Sequence, residues 1–460
     1  MYYRFKQLTL LLGDLLMLYA GLYLAIIIRY LQWPEAGVGD LLYPMTRLFL
    51  LAVIILFIVG LYDIAQLKRV RATAQKAALS GAVWLSLGAL YFYLDPIPNV
   101  TPKTILLLTT ITSFTLITLW RYIYKRFISS VIGRTTVVFA GLSPETVELL
   151  QLLSNEPQRG YRVIGCIIAP TQTLPPECSL FPCASSLSEL IQQNNGQHPG
   201  IIVTAPSHAN DTVMLGELYQ AIFRQVSIVS LADFYEQVLK RVPPFTFSET
   251  WFITNLQEQH KKIYDRFRIL IDYAIALLMA VFFFITFPLI ALLIKFSSRG
   301  PIFFRQTRVG RLGQLFVIHK YRTMRALHAD GSAEITGPQF ASVNDPRVTG
   351  VGRILRRTRL DELPQCINIL RGDMGIVGPR PERPEFVEEV SKAMPFFTLR
   401  HLIKPGLTGW AQIHESYYGT LAENIYKLQF DLYYIKNRSI LLDIAILLRT
   451  INIVLRMIGR

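Results

Sequence analysis

The stretch YDRFRILIDYAIALLMAVFFFITFPLIALLIKFSSRG, residues 264–300, decides the topology of this 460-residue chain. Its apolar part is long enough to cross a bilayer. A simple crossing would carry residues 296–460, with 24 Lys and Arg against 14 Asp and Glu, to the outer face. That arrangement contradicts the bias of basic segments toward the cytoplasm. Pro288 lies inside the apolar run and can kink a helix sharply. We therefore expect a re-entrant helical hairpin, broken at Pro288, that enters and leaves by the cytoplasmic leaflet; a kinked full span is the alternative.

The whole chain has the composition of a membrane protein, with 52% hydrophobic residues, a mean hydropathy of +0.35 and a net charge of +15. The positive charge suits anionic lipid headgroups or phosphates, and the apolar segments favour lipid over nucleic acid as the partner surface. The four cysteines show no metal-ligand spacing, so we expect reduced thiols rather than disulfides or a zinc site.

An α-helical bundle of four membrane spans is expected before residue 127. Alternating basic flanks place both ends of this bundle in the cytoplasm, and the first segment lacks a small-residue cleavage site, so we take it as a retained anchor. Asp14 inside the first segment is expected to have a partner within the bundle, with a functional intramembrane carboxylate as the alternative. The four apolar segments are Leu8 to Ile28, Leu48 to Leu61, Ala77 to Leu94 and Ile105 to Ile123.

Strand and helix patterns alternate from Thr135 to about Val242, which predicts a Rossmann-like α/β domain with a parallel sheet. A dinucleotide site would need several glycines in the first turn between strand and helix. This turn holds only Gly141, followed by Leu142, Ser143 and Pro144. We therefore expect no nicotinamide or flavin cofactor here, and a regulatory or oligomerising role for the domain.

The densest chemistry is in RRTRLDELPQCINILRGDMGIVGPRPERPEF, residues 356–386. A helix over residues 361–371 would place Asp361 at its N-cap and end at Gly372. Capping alone explains an acidic helix start, but the same geometry forms an anion site. A carboxylate held ionised there is a persistent nucleophile toward phosphorus. Its neighbour Glu362 could then hold Mg²⁺.

Many basic side chains surround this stretch. Arg380, on a proline-stiffened turn, and Arg383 offer fork-shaped donors for phosphate oxygens. Five more basic residues are interleaved with aromatic ones: Arg305, Arg308, Arg311, Lys320 and Arg322. They form either a phosphate cradle or a solvated face beside the membrane. Arg353, Arg356 and Arg357 share one helical face. Contact with lipid headgroups explains this arrangement as well as phosphate binding does. The run after Arg438 carries too many charges for a comfortable crossing, so we expect an interfacial helix.

Five motifs, in order over nearly 200 residues, carry a resemblance to a known family. The chain from about Arg266 onward resembles the bacterial sugar transferases, the polyprenol-phosphate hexose-1-phosphate transferases or monotopic phosphoglycosyl transferases. The preceding bundle and Rossmann-like domain resemble those of the large subfamily. The motifs are FFRQTRVG, KYRTM, DPRVTGVGRILRRTRLDELPQCINILRGDMGIVGPRPE, KPGLTGWAQI and DLYYIKNRSILLDIAILLRT.

The resemblance implies three domains: a bundle over 1–127, a degenerate Rossmann-like domain over 128–262, and a mainly helical monotopic catalytic domain with its re-entrant helix over 263–460. It implies Mg²⁺-dependent transfer of a sugar 1-phosphate from a nucleotide diphosphate sugar, usually a uridine one, to undecaprenyl phosphate. This would be the first membrane step of exopolysaccharide, capsule or O-antigen synthesis. It also implies a multi-pass protein of the bacterial inner membrane, catalytic on the cytoplasmic side and homodimeric.

The family's carboxylate dyad maps onto Asp361 as the nucleophile and Glu362 as the group that binds the metal or handles a proton. The other substrate-binding residues implied by these motifs are Gln306, Arg308, Lys320, Arg322, Arg380, Glu382 and Arg383.

Two departures from the family pattern concern local detail. Phe287 stands before the helix-breaking proline where the family often has Ser. After TGWAQ, the residues Ile413, His414, Glu415 and Ser416 replace the common Val-Asn-Gly-Arg, which removes any inference about the sugar or base that is bound there.

Two other functions are weighed against this one. A metal-dependent glycosyltransferase normally needs a DxD pair, and the chain contains none. A membrane scaffold of a polysaccharide assembly with a vestigial site is opposed by the intact Asp361, Glu362 and Arg380. His319, His328 and His401 are taken as structural; for His414 a surface position is weighed against a part in the site.

Overall fold

The computed structural model describes residues 2–31, 39–62, 70–94, 102–124, 126, 134–168, 181–206, 212–256, 261–333, 345–414 and 420–455. The chain divides into two compact units, Met1–Phe234 and Tyr235–Arg460.

The first unit begins with four long helices, as the sequence predicts: α1 (Tyr2–Tyr30), α2 (Gly39–Ile58), α3 (Val70–Leu94) and α4 (Pro102–Ile123). The second begins about nine residues before the predicted apolar segment, with Pro44 inside it. Apolar side chains from all four helices pack into one core around the buried Trp84, whose indole N–H donates to the Leu48 carbonyl. Among the described residues, five helices are long and apolar enough to cross a membrane: Gln7–Tyr30, Leu41–Ile58, Thr73–Leu94, Thr104–Ile123 and Ile263–Ser297. These helices fit a membrane protein.

Asp14 has the bundle partner that the sequence predicts. Its carboxylate forms an ion pair of 2.5 Å with Arg121, and both side chains are fully buried. Arg121 also donates to the Leu61 carbonyl. Burying a charge is costly unless it is paired, so the pairing explains how both groups are accommodated in an apolar bundle.

The parallel sheet predicted after the bundle is present, in the order β3-β2-β1-β4-β5. Ser143 caps the helix after β1 by accepting from the Thr146 N–H, and Gly141 lies in the left-handed region with φ +98°. The Rossmann-like assignment itself stays a prediction. The elements are β1 (Thr135–Ala140), α5 (Pro144–Asn155), β2 (Tyr161–Ile167), β3 (Cys183–Ala184), α6 (Leu187–Gln193), β4 (Ile201–Thr204), α7 (Thr212–Phe223), β5 (Ser227–Ser230) and α8 (Leu231–Leu239).

The second unit begins at Tyr235, earlier than the expected boundary at residue 262. The reason is local packing: Val242 is fully buried in the core of this unit, and its N–H donates to the Gln429 carbonyl. Trp410 also donates its indole N–H to the Lys240 carbonyl. The elements are α9 (Glu249–Asn255), α10 (Lys262–Ser297), β6 (Phe303–Val309), β7 (Leu315–Tyr321), α11 (Gly350–Arg357), α12 (Cys366–Arg371), β8 (Gly375–Val377), α13 (Pro384–Ala393), β9 (Gly406–Thr408), α14 (Trp410–His414), α15 (Leu421–Asn437) and α16 (Ile440–Leu455).

Helix α10 is one continuous helix with Pro288 inside it, rather than two helices joined by a turn. One face of α10 is buried along its whole length, from Arg268 through Phe283 to Ile294. The ring of Phe287 stacks on Phe303 of the hairpin, and the ring of Phe283 packs at a tilt against Tyr321. Ile290 and Ile294, which follow the proline, are buried in the same cluster, so packing supports the helix on both sides of Pro288. A separate turn at Pro288 is therefore not seen, and re-entry into one leaflet stays a prediction.

The predicted pair of strands is an antiparallel hairpin, β6 with β7, that pairs Phe303 with Tyr321 and Val309 with Leu315. Behind it, a 3-10 turn (Leu360–Gln365) connects α11 to α12. Asn368 of α12 holds these elements together, because its side chain accepts from the His319 N–H and donates to the Val317 carbonyl. The turn and the hairpin thereby form one layer.

Candidate active site

The carboxylate dyad lies in the 3-10 turn, which begins after Arg359 in the left-handed conformation with φ +58°. The prediction that Asp361 caps an α-helix is wrong, because it lies inside the turn and the α-helix itself begins only at Cys366. Pro364 lies in the same turn. The predicted end of the helix is confirmed, since Gly372 adopts the left-handed conformation with φ +84°.

Glu362 is surrounded by cations. Its Oε1 accepts from Lys320 Nζ at 3.0 Å and from Arg380 Nη2 at 3.3 Å, and Arg359 Nη1 lies 3.7 Å away. Burial by itself raises the pKa of Glu362, but Lys320, Arg380 and Arg359 outweigh it and hold that pKa well below its ordinary value. Glu362 is therefore ionised at any physiological pH.

Asp361 differs from its neighbour in lacking a partner for one oxygen. Its Oδ1 is buried and has no hydrogen bond to any residue that the structure describes. Burial, with the adjacent charge of Glu362, raises the pKa of Asp361 to about 6. Burial therefore opposes the ionised form that a helix end would favour, while a pKa of about 6 still leaves Asp361 mostly ionised at neutral pH. It is a poorly solvated carboxylate whose charge is available to an incoming group.

A second buried cluster centres on Glu382, the last residue of the turn over residues 378–382, called the GPRPE turn. Lys427 Nζ donates to Glu382 Oε1, and Arg308 Nη1 lies 3.7 Å from Oε2. Burial raises the pKa of Glu382, but Lys427, Arg400 and Arg308 outweigh it and lower the pKa to about 2. Burial also lowers the pKa of Arg308 to about 10. Arg308 donates to Gln306 Oε1 at 2.5 Å and to the Pro381 carbonyl at 3.1 Å, so these residues hold the turn against the hairpin.

Arg400 joins the two clusters. It is 1% exposed, donates to Asp431 Oδ2 from Nε at 3.1 Å, and donates from Nη2 to the Arg380 carbonyl at 2.9 Å. Its Nη1 lies 3.8 Å from Glu382. The backbone of Arg380 is thereby fixed while its side chain reaches Glu362.

The structure brings together most of the predicted site residues: Asp361, Glu362, Lys320, Arg380, Arg308, Gln306 and Glu382. Arg383 lies beside them, 3.4 Å from Glu385 and against the ring of Phe386.

Arg322 does not belong to the predicted phosphate cradle. It donates to the carbonyls of Arg299 and, at 2.7 Å, Ser298, and so caps the end of α10. Strand β7 ends at Tyr321, so Arg322 no longer follows the alternation that directs Lys320 toward Glu362. Arg305 is exposed on the opposite face of β6 from Gln306 and Arg308. Lys320 and Arg308 thus lie on the side of the dyad and Arg305 faces solvent, and binding of phosphate by the first two stays a prediction.

Some functional neighbours are not identifiable from the sequence. Arg400, Lys427 and Asp431 meet Glu382 only through long-range folding. Arg356, taken as a candidate for lipid contact, instead donates to the Thr323 hydroxyl at 2.8 Å and lies close enough to Asp361 to lower its pKa. The closeness of Arg356 to Asp361 could have been predicted from the run RRTRLDE, because Arg356 and Arg359 precede the dyad by only one or two turns.

The donor set fits Mg²⁺ only in part. Among the residues that the structure describes, no group of three or more His, Cys, Asp and Glu side chains could hold a metal. Glu362 Oε1 already faces three cationic groups, which disfavours a metal at that oxygen. Asp361 Oδ1 is the buried carboxylate oxygen that fits as a single protein ligand, with substrate phosphate oxygens supplying others. Mg²⁺ and its assignment to Glu362 stay predictions.

His414 is half-buried rather than on the surface. Its ring stacks on Phe430, and its Nδ1 lies 2.8 Å from the Trp410 carbonyl. The following departures from the family pattern, Glu415 and Ser416, lie outside the described residues.

Residues 263–457 match the model of the family described as bacterial sugar transferase. The chain is 43% identical over 169 residues to the UDP-N-acetylgalactosamine-undecaprenyl-phosphate N-acetylgalactosaminephosphotransferase of Aeromonas hydrophila, covering 37% of this chain and 39% of the relative. It is 32% identical over 323 residues to the UDP-glucose:undecaprenyl-phosphate glucose-1-phosphate transferase of Xanthomonas campestris pv. campestris, covering 68% and 65%.

A shorter relative is covered over most of its length. The chain is 40% identical over 162 residues to the putative undecaprenyl-phosphate N-acetylgalactosaminyl 1-phosphate transferase of Bacillus subtilis (strain 168), covering 35% of this chain and 82% of the relative. The chain thus spans less than two thirds of the Aeromonas and Xanthomonas relatives and most of the Bacillus one. The resemblance inferred from the motifs is confirmed: this chain belongs to the bacterial sugar transferase family.

Proposed function

We propose that this protein transfers a sugar 1-phosphate from a nucleotide diphosphate sugar to undecaprenyl phosphate. The products are undecaprenyl-diphosphate-sugar and a nucleoside monophosphate. The names of the relatives support the reaction class, since each is a transferase acting on undecaprenyl phosphate.

One observation carries the proposal to this chain's own residues. Asp361 Oδ1 is buried without a hydrogen-bond partner among the described residues, at the edge of a cluster of Lys320, Arg380 and Arg359. A poorly solvated carboxylate is more nucleophilic than a hydrogen-bonded one, and the cations attract and hold phosphate oxygens. This pairing of nucleophile and clamps is what phosphoryl transfer requires.

The chemistry proceeds in two balanced steps. An oxygen of the Asp361 carboxylate attacks the β-phosphorus, the bond from that phosphorus to the bridging oxygen breaks, and the nucleoside monophosphate leaves with the bond's electron pair. The sugar phosphate is then held on Asp361 as an acyl phosphate. An oxygen of undecaprenyl phosphate attacks the same phosphorus, the Asp361–phosphorus bond breaks, and the carboxylate is restored.

Glu362 serves this chemistry by holding the cations in place. Lys320 and Arg380 share its Oε1, so their charges are gathered beside Asp361 before substrate arrives. Arg380 is one-third exposed and can reach an incoming diphosphate. A bound Mg²⁺ would neutralise charge on the diphosphate.

We propose a cytoplasmic active site at the membrane surface. The second unit contacts α10 near both ends: Asp272 accepts from the Ile376 N–H at 3.0 Å, and Ser298 accepts from Arg322. A straight helix between those residues is about 39 Å long, against about 30 Å for the hydrocarbon core. A simple crossing would immerse the charged dyad region in lipid. Entry into and exit from one leaflet avoids that cost and agrees with the basic excess of residues 296–460. It requires α10 to bend within the membrane, and Pro288 is the residue at which we propose that it bends.

The donor is proposed to be a uridine diphosphate hexose. The Xanthomonas relative, which aligns over two thirds of this chain, is named for UDP-glucose, and the Aeromonas relative for UDP-N-acetylgalactosamine. Starting a cell-surface polysaccharide repeat unit is the role we assign. Homodimerisation stays a prediction.

Release of uridine monophosphate tests the proposal. The full chain in detergent is mixed with Mg²⁺, undecaprenyl phosphate and, in turn, UDP-glucose, UDP-galactose and their N-acetyl forms. We expect release with at least one sugar, and release that depends on Asp361. Absence of release with every sugar would favour the non-catalytic scaffold.

A further inference from the structure

A cavity in the second unit shares none of the residues of the dyad cluster. It has a volume of about 110 Å³ and lies between the first turns of α10, the end of α12 and the tip of the hairpin. With about 30 Å³ for each liquid water, it has room for a group of a few heavy atoms. Six of its lining residues are Asp265, Arg268, Tyr273, Arg311, Lys404 and Arg438.

The charges lining this cavity do not cancel. Arg438 pairs with Asp265 at 2.6 Å, and Arg268 lies 3.8 Å from Asp272. The side chains of Arg311 and Lys404 form no hydrogen bond or close ion pair with any residue in the described ranges, although Lys404 lies near enough to Asp272, another lining residue, to interact electrostatically with that carboxylate. Four cationic side chains against two carboxylates leave two positive charges for an anion.

Polar groups converge at one end of the cavity. A Cβ placed on Gly372 would lie 3.4 Å from Lys404 Nζ and 4.0 Å from the Tyr273 hydroxyl. An ammonium group, a phenol hydroxyl and the Arg311 guanidinium are donors that suit phosphate oxygens.

The surroundings of the cavity are apolar. Ile269 in its wall is 45% exposed, and Leu270 beside it is 67% exposed on α10, the helix long and apolar enough to enter a membrane. At the hairpin tip, Leu312 and Leu315 next to Arg311 are also largely exposed. A ligand held here by its charged end would therefore have apolar side chains along its remaining length.

We propose that this cavity binds the phosphate headgroup of a membrane lipid, with Lys404 and Arg311 as its charge partners and the apolar flank of α10 along its chains. The site is separate from the dyad and takes a lipid phosphate as a bound ligand rather than as a reactant. Such a lipid would fix the height of the catalytic unit at the membrane surface.

Native mass spectrometry of the full chain in detergent tests the proposal. The probes are phosphatidic acid, diacylglycerol with the same acyl chains, and inorganic phosphate. We expect the wild-type chain to retain phosphatidic acid and not diacylglycerol. Each of Lys404→Gln and Arg311→Gln should weaken retention about tenfold, because a charge-assisted hydrogen bond is lost.

Two further variants keep the test decisive. Lys404→Arg preserves the charge and should restore retention. Lys392→Gln removes an exposed lysine that pairs with Glu388 on α13, and should behave as wild type. Equal retention of phosphatidic acid by the wild-type and Lys404→Gln/Arg311→Gln chains would overturn the proposal. So would full competition by inorganic phosphate, which would indicate a soluble anion. The readout needs no sugar nucleotide, so its outcome is independent of the transferase proposal.

Discussion

Arg400 donates a hydrogen bond of 2.9 Å to the backbone carbonyl of Arg380, the residue whose side chain contacts Glu362. The guanidinium that makes this bond is held by Asp431. The dyad therefore depends on a buried network that never touches it directly, and the conformation of the GPRPE turn is fixed from behind.

Replacing Arg400 with Lys tests this dependence. Lysine keeps the charge but loses the fork that contacts Asp431 and Arg380 together. We expect the rate of uridine monophosphate release to fall about tenfold, as for loss of one charge-assisted hydrogen bond of roughly 1.5 kcal/mol. Lys392→Gln is the matched control. A release rate equal to wild type, in a chain with an unchanged thermal midpoint, would refute the positioning role.

The raised pKa of Asp361 predicts a pH dependence of the first step. The carboxylate attacks only when ionised, and its pKa is raised from 3.8 to about 6. Single-turnover formation of the phosphosugar adduct should therefore rise with pH through about 6 and level off above it. Replacing Glu362 with Gln removes the neighbouring negative charge, and the midpoint should move to lower pH. A profile flat from pH 5 to 8 would contradict the burial of this carboxylate.

The raised pKa of Asp361 also predicts that this residue lowers the stability of the protein at the pH at which it is active. Because the pKa of Asp361 is higher in the folded state than in the unfolded state, the folded state favours the protonated side chain. The contribution of Asp361 to the free energy of unfolding is therefore present below pH 4 and is lost as pH rises through about 6. At pH 7.5 the neutral Asp361→Asn should therefore be more stable, by on the order of 2 to 3 kcal/mol. Thermal unfolding at pH 7.5 and pH 4.5 checks this: the gain should shrink at the lower pH, and an equal gain at both would argue against the shift.

Lys320 and Arg322 are two residues apart but have different roles. Lys320→Met should reduce nucleoside monophosphate release strongly, because Glu362 loses its nearest cation. Arg322→Met should instead lower the thermal midpoint, since the carbonyls of Ser298 and Arg299, directly after the end of α10, lose their donor. Release per folded molecule should stay near wild type. If Arg322→Met loses release without losing stability, Arg322 belongs to the substrate site.

This pair also shows where sequence reasoning succeeds and fails. Strand alternation predicts that Lys320 and Arg322 share a face, but the strand ends between them, and an element's end is set by tertiary contacts. The end of α12 at Gly372 was predictable, because glycine at a left-handed position is a local requirement. The start of α12 was not predictable from the sequence, because the left-handed conformation of Arg359 and the 3-10 turn before α12 depend on packing against β7.

The bundle, the parallel sheet and the strand pair followed from apolar periodicity, which reflects burial directly. The cluster of Glu382, Arg400, Lys427 and Asp431 did not, because its members are up to 49 positions apart and nothing in their spacing relates them. Motif resemblance located the dyad, yet only the folded arrangement separates a paired Glu362 from an unpartnered Asp361 oxygen.

The central claim is that Asp361 carries the sugar phosphate covalently, and intact mass measurement tests it most directly. The full chain is incubated with its active nucleotide sugar and Mg²⁺ but without undecaprenyl phosphate, then quenched in acid. We predict a mass increase of one sugar phosphate in the wild-type chain, its disappearance on adding undecaprenyl phosphate, and no increase in Asp361→Asn. An adduct of the same mass on Asp361→Asn, or turnover by that variant, would contradict the account.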